Sequence, residues 1–453
     1  MTAYAHDQVT VSSGGSGGPE KGLLRFLTCG SVDDGKSTLI GRLLYDTKLI
    51  LEDQLAALKR DSRKHGTTDD DIDFALLVDG LEAEREQGIT IDVAYRFFST
   101  PRRAFIVADT PGHEQYTRNM VTGASTADAA VILVDAQRGM TTQTRRHLYL
   151  SHLLGVAHLV IAVNKMDLVG FDQKAYAAIA QSIEEFTRAI GAGRFYLVPI
   201  SAKFGDNVVH GSARMPWYDG KPLLALLETL PPAILTHYTP FRFPVQLVRR
   251  VPAPNGEQFR QYLGRVESGR VRPGDEVAIL PSGRVTRIRA VSHFEGPLEH
   301  AEAGRSIAIE VEGDIDIGRG EMFSAPLQPP RVDKKFTATV CWFADETFTP
   351  AARYLVKCGT RSVSARIAEI VHRLDVTTLA TEPAPETLKC NDIAQVCIAL
   401  AQPLAFDAYE DNRATGAFIL IDADTNATVA AGMIARPEDE PAAPDAAVFD
   451  AGL

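Results

Sequence analysis

The chain is poor in the features that mark secreted, membrane-bound or nucleic-acid-coating proteins. Its five cysteines (Cys29, Cys341, Cys358, Cys390 and Cys397) are scattered, odd in number and contain no C-x-x-C pair. They read as reduced thiols of a cytoplasmic protein, not as a disulfide framework or a metal cluster. Apolar runs fall far short of the roughly 18 residues of a membrane span, and residues 1–20 hold no apolar signal-peptide core. A basic excess is missing as well: 47 Lys and Arg face 58 Asp and Glu, a formal net charge of −11. Neither nucleic acid nor a membrane surface is therefore the expected partner. No internal repeat of fixed period is present. What the chain does have is 45% hydrophobic residues over a length of 453, enough to fill about three ordinary domain cores.

Residues 1–21 include the stretch S-S-G-G-S-G-G and are expected to form a flexible leader. Residues 22–235 alternate short apolar runs with helical periodicity. Strands are expected at Leu24–Cys29, Tyr95–Phe98, Phe105–Asp109, Ala130–Asp135, Leu159–Asn164 and Tyr196–Ile200, and helices at Lys36–Tyr45, Thr142–Leu154 and Tyr176–Ile190. That alternation predicts a parallel sheet with helices on both faces. Pro231-Pro232 breaks the pattern. Residues 240–328 carry recurrent turn signals instead, among them Pro273-Gly274-Asp275 and Pro281-Ser282-Gly283, and read as a small antiparallel barrel. After Pro329-Pro330, residues 332–435 form a second set of strands, and residues 436–453, rich in Pro, Ala, Asp and Glu, are expected to be disordered. The fold class is therefore α/β: a phosphate-loop domain with a parallel-rich sheet and helices on both faces, followed by two antiparallel β-barrel domains.

Directly after the first expected strand stands Gly30-Ser31-Val32-Asp33-Asp34-Gly35-Lys36-Ser37, followed by Thr38. This is the pattern G-x-x-x-x-G-K-[ST], in the strand-to-helix context that its mechanism needs. The glycines let the backbone wrap a phosphate chain, and the helix behind adds its positive N-terminal end. Lys36 is expected to reach the β- and γ-phosphates, and the Ser37 hydroxyl to bind Mg²⁺. The base is read further on. Asn164-Lys165-Met166-Asp167 ends an apolar strand, where an Asp can accept two hydrogen bonds from guanine; adenine would leave that carboxylate unpaired. Ser201-Ala202-Lys203 follows the next strand, its Ala202 N–H suited to the guanine oxygen and Lys203 to the ring face. The ligand expected is GTP with Mg²⁺.

Four further residues complete the reading. Asp109-Thr110-Pro111-Gly112-His113 ends a strand; Asp109 can reach Mg²⁺ through water, and the Gly112 N–H can meet the γ-phosphate in a segment that reorders on hydrolysis. Thr90 can give Mg²⁺ a hydroxyl, and His113 can position the attacking water. Lys36, Thr90 and His113 are thus the expected catalytic residues. Two charged runs are assigned no chemistry: Thr67 to Asp73 reads as a solvated loop, and Arg145-Arg146-His147 as a solvated helix face.

Together these motifs resemble the translational GTPases, a G domain followed by two β-barrels, over nearly the whole chain. Within that class, Leu24 to Leu44, Leu76 to Phe98, Asp109 to Met120, Met215 to Tyr218 and Asn412 to Asp422 resemble the GTPase subunit of bacterial sulfate adenylyltransferases. Ser31 and Asp34 stand where translational factors usually differ. The resemblance implies a GTP-hydrolysing subunit that activates a separate small catalytic subunit, in a hetero-oligomer. That partner joins ATP and sulfate to give adenosine 5′-phosphosulfate and pyrophosphate in sulfate activation. With one phosphate loop and no H-x-G-H motif, this chain is not expected to transfer adenylyl groups itself. An elongation-factor-like carrier of aminoacyl-tRNA shares every G motif; Ser31, Asp34 and the charge of −11 lean away from it.

Overall fold

The computed structural model describes residues 22–47, 74, 92–231, 239–252, 258–346, 348–350 and 352–437. The leader, the acidic run up to Asp73, Thr90 and the final residues lie outside them.

The first domain is built on six strands, β1 (Leu23–Cys29), β2 (Ala94–Ser99), β3 (Ala104–Asp109), β4 (Ala129–Asp135), β5 (His158–Asn164) and β6 (Phe195–Pro199). Their order in the sheet is β2-β3-β1-β4-β5-β6. Five strands are parallel. The central β4 is buried at every position, as a strand covered on both faces must be. The sheet is not wholly parallel, however: edge strand β2 runs antiparallel to β3. Only Thr100–Arg103 joins them, closed by Thr100 N–H donating to the Arg103 carbonyl at 2.8 Å, and a connection that short cannot make a parallel crossover.

Helices α1 (Lys36–Asp46), α2 (Thr117–Ala124), α3 (Thr142–Leu153), α4 (Gln173–Ala189) and α5 (Leu223–Thr229) flank the sheet. Leu39, Ile40 and Leu43 of α1 and Leu223 and Leu227 of α5 bury one face together with Phe26, Phe105 and Val107. Met120 and Val121 of α2, Leu148 of α3 and Ile183 and Phe186 of α4 bury the other against Leu27, Ile132 and Ile161. Each such side chain removed from water contributes about 1.5–3 kcal/mol. The carboxyl ends of β1, β3, β4 and β5 all reach one edge, and the sequence motifs lie there.

The next domain is a closed barrel whose strands follow the order Glu276–Leu280, Met322–Ser324, Arg242–Pro252, Gln258–Arg265, Ser306–Val311 and Arg284–His293, the last pairing back to the first. A second barrel closes in the same way through Tyr354–Cys358, Ala417–Asp422, Thr428–Ile434, Arg331–Trp342, Ile393–Phe406 and Arg361–Leu374. Its first strand begins at Arg331, immediately after Pro329-Pro330.

All three domains meet at Asp407 to Thr415. Arg242 of the first barrel makes a two-pronged pair with Asp407, 2.9 Å on each arm, and Thr415 Oγ1 donates to the same carboxylate at 2.6 Å. Asn412 Nδ2 donates to Ser268 Oγ at 2.9 Å. Toward the G domain, Tyr409 Oη donates to the Leu154 carbonyl at 2.9 Å, and Arg413 packs on Gly155. Among the described residues, no helix is long and apolar enough to cross a membrane.

Candidate functional site

The turn from β1 into α1 is held in its wrapped form from several sides. Asp34 Oδ2 accepts the Ser31 N–H at 2.7 Å, and the Asp34 N–H donates back to the Ser31 carbonyl at 3.3 Å. Asp33 and Gly35 take positive φ values of 66° and 91°. Gly35 is irreplaceable on contact grounds too, because a Cβ there would lie 2.5 Å from Asn164 Nδ2. That amide donates to the Asp34 carbonyl at 2.8 Å, so the base-reading motif at the end of β5 braces the phosphate loop. Arg138 Nη1 donates to the Val32 carbonyl at 3.3 Å, and Ser31 Oγ and Thr141 Oγ1 are 2.8 Å apart.

Lys36 is 7% exposed, and its Nζ donates to the Gly30 and Ser31 carbonyls at 3.1 and 2.9 Å. Burial pulls its pKa below the usual lysine range, against the pull of Asp109 and Asp34. A buried ammonium held, among the described residues, by carbonyl oxygens fits an anionic ligand. Ser37 and Thr38 stand in the first turn of α1, half-buried. Burial also raises the Cys29 thiol to about 12, so this cysteine beside the loop is inert.

Asp109 is buried at the end of β3, with its Oδ1 accepting from Thr28 Oγ1 at 3.1 Å. Thr110 Oγ1 donates to the Thr28 carbonyl at 2.7 Å. Gly112 lies against the phosphate loop: a Cβ on it would sit 2.5 Å from Lys36 Nζ and 2.8 Å from the Gly30 carbonyl oxygen. His113 is half-buried, its ring 6.3 Å from that of Tyr116. The structure thus brings Lys36, Asp109 and Gly112 together; Thr90 is outside the described residues.

At the base-reading end, Asp167 Oδ1 accepts from Ser201 Oγ at 2.6 Å. Lys165, at φ 62°, pairs with Asp135 at 2.8 Å, and Met166 is buried beneath it. The Ala202 N–H, assigned from sequence to the guanine oxygen, donates here to Asn164 Oδ1 at 2.9 Å. Both ends of the Asn164 amide are therefore spent on protein, the loop on one side and β6's exit on the other. Lys203 is exposed, its Nζ 5.4 Å from the Phe204 ring centre.

One expectation is wrong. Arg145-Arg146-His147 is not a solvated face: His147 is fully buried, and the Arg146 side chain is 12% exposed. Arg145 covers the Phe186 ring at 5.1 Å. Arg146 is turned toward the segment after Asp109, while the N-cap Thr141 is the α3 residue that meets the phosphate loop. Arg146 pairs with Glu114 at 2.6 Å, and Asn391 Nδ2 of the second barrel donates to the Glu114 carbonyl at 3.0 Å. His147 sits 3.0 Å from the Gln143 amide and is pushed down to about 3 by burial and by the nearby Lys36 and Arg146 charges. None of these contacts was read from the sequence. The N-cap of α3 alone had a signal, T-T-Q-T, and Thr141 and Thr144 do form a reciprocal capping box.

Fold and site together define a GTP-binding protein of the elongation-factor class. The Elongation factor Tu GTP binding domain model matches residues 21–239, Elongation factor Tu domain 2 matches 260–324, and the GTP-eEF1A C-terminal domain-like model matches 335–435. Sulfate adenylyltransferase subunit 1 of Saccharophagus degradans is 51% identical over 92% of this chain and 87% of that protein, and that of Chromobacterium violaceum is 52% identical over 93% and 87%. The bifunctional enzyme NodQ of Rhizobium sp. is 54% identical over 92% of this chain, which spans 64% of NodQ's length. The chain belongs to the sulfate adenylyltransferase subunit 1 family.

Proposed function

We propose that this chain binds GTP with Mg²⁺, hydrolyses it, and uses the cycle to drive sulfate activation on a separate catalytic subunit. That subunit would join ATP and sulfate into adenosine 5′-phosphosulfate and pyrophosphate. The family membership supports the reaction. The observation that carries the nucleotide is Asn164, which ties the N-K-M-D motif to the phosphate loop through the Asp34 carbonyl at 2.8 Å.

In this reading the loop amides and Lys36 hold the phosphates, and Asp167 selects guanine. Ser37, Asp109 and Thr90 would hold Mg²⁺, which supplies positive charge to the phosphate oxygens. Lys36 would exchange its carbonyl partners for phosphate oxygens, placing its charge where negative charge develops. His113 would orient the attacking water, and Gly112 would report the γ-phosphate to the segment carrying Glu114.

The test uses the purified full chain with and without the catalytic subunit of a family relative. The chain alone should hydrolyse GTP and make no adenosine phosphosulfate; the mixture should make it faster with GTP than without. In that mixture Thr90→Ala should lower the GTP stimulation at least tenfold, a loss of about 1.4 kcal/mol, while His113→Ala slows hydrolysis and spares GTP binding. Product from the homogeneous chain, or no effect of GTP on the mixture, refutes the assignment.

A further inference from the structure

The phosphate loop contains a feature that phosphate binding alone would disfavour. Asp34 is 1% exposed. Its Oδ2 takes the Ser31 N–H at 2.7 Å, whereas its Oδ1 is buried and has no hydrogen-bond partner among the described residues. It stands between Asp33 and Gly35, in the stretch whose backbone wraps the phosphates. No Arg or Lys lies within ion-pairing distance of it among the described pairs. The cations that act on it are Lys36, already drawn to the Gly30 and Ser31 carbonyls, and Lys165, paired with Asp135 at 2.8 Å. A buried carboxylate with one bare oxygen is expensive to keep. The bond to the Ser31 N–H does not require the charge, since the oxygen of a neutral amide can accept the same N–H.

We propose that Asp34 sets nucleotide residence: its carboxylate repels the phosphates held by the same loop, so that GDP leaves quickly enough for the chain to exchange nucleotide unaided. The inference rests on the GTP-binding reading above. Lys36 faces both Asp34 and the phosphates, and the two compete for its charge. Removing the carboxylate takes away one of the two buried acids that compete with the phosphates for Lys36, Asp109 being the other. Asp34 is in this sense a positioning residue that acts through Lys36 and the loop. A brace and a charge make different demands on the side chain, and substitution separates them.

The experiment follows release of a fluorescent GDP analogue from the full chain with Mg²⁺ by stopped flow. Asp34→Asn keeps an acceptor for the Ser31 N–H and loses the charge; Asp34→Ala loses both. GDP release from Asp34→Asn should slow about tenfold, with the association rate little changed and a matching rise in affinity. Unchanged or faster release from Asp34→Asn overturns the proposal and leaves Asp34 a brace. Should Asp34→Asn fail to fold, Asp34→Ala carries the comparison: slower release supports the proposal, and equal or faster release overturns it. Wild-type chain that binds no guanine nucleotide would instead sink the underlying GTP reading.

Discussion

Gly35→Ala tests how far the base-reading motif holds the phosphate loop in shape. Two costs follow from the geometry. Gly35 sits at φ 91°, and holding an L-residue in the left-handed region costs about 1–2 kcal/mol. The new methyl would also lie 2.5 Å from Asn164 Nδ2, which must then abandon the Asp34 carbonyl it meets at 2.8 Å. Both groups of that bond are buried, and leaving them unpaired costs about 1–3 kcal/mol. The sum is about 2–5 kcal/mol, charged against the conformation that wraps phosphate. Affinity for GDP should fall by at least about thirtyfold, since each 1.4 kcal/mol is tenfold. Titration calorimetry in Mg²⁺ measures it, alongside a thermal melt. Gly191→Ala is the control: φ there is 68° with nothing within 4 Å, so it carries the backbone cost without the collision and should leave GDP affinity alone. GDP affinity in Gly35→Ala within threefold of wild type would refute the claim that Asn164 and the loop form one unit.

Asp167→Asn should move preference from guanosine to xanthosine triphosphate, with about 2–5 kcal/mol of base selectivity at stake; equal GTP affinity by calorimetry would dismiss Asp167 as the guanine reader. His147 predicts a pH dependence. Its folded pKa of about 3 lies below the unfolded value of about 6.5. Between the two the unfolded chain binds a proton that the folded chain refuses, so stability falls as pH drops through 6.5, by at most about 1.4 kcal/mol per pH unit. His147→Gln should flatten that acid limb in denaturant titrations at pH 7 and pH 5, and an unchanged limb would show that His147 is not the group responsible.

What the sequence disclosed was local. Gly30 to Thr38 act as one contiguous stretch, so spacing alone locates the wrap, and Lys36, Asp109 and Gly112 converge because the connection after β1 and the end of β3 lie at the same sheet edge. The barrels were legible from turn residues, which fix backbone direction without distant partners. What was hidden depended on facing. The run T-Q-T-R-R-H-L-Y-L-S-H-L places polar side chains around much of α3, and no periodicity could say that Arg146 and His147 turn inward. Glu114 and Asn391 meet across 277 positions, a separation for which a single sequence carries no signal. The Ala202 N–H, expected at the guanine oxygen, was hidden for a related reason: its partner Asn164 Oδ1 comes from another connection of the sheet.

The position of α3 explains why burial there matters to the site. Its N-cap Thr141 touches Ser31 of the phosphate loop at 2.8 Å, its middle pairs Arg146 with Glu114 at 2.6 Å, and just beyond its end Leu154 accepts from Tyr409 at 2.9 Å. Twelve residues of helix span about 18 Å, and a helix with one face in the core shifts as a rigid body more readily than it bends. The loop, the segment after Asp109 and the second barrel therefore share one stiff element. Arg413 packs on Gly155, next to Leu154, while Asn412 and Asp407 hold the first barrel. A displacement of Ser31 or Glu114 can reach the second barrel through α3 and Asn391, and through the apolar cluster that Met120 and Val121 of α2 and Leu148 of α3 share with Cys341, Val376, Ile393 and Met433.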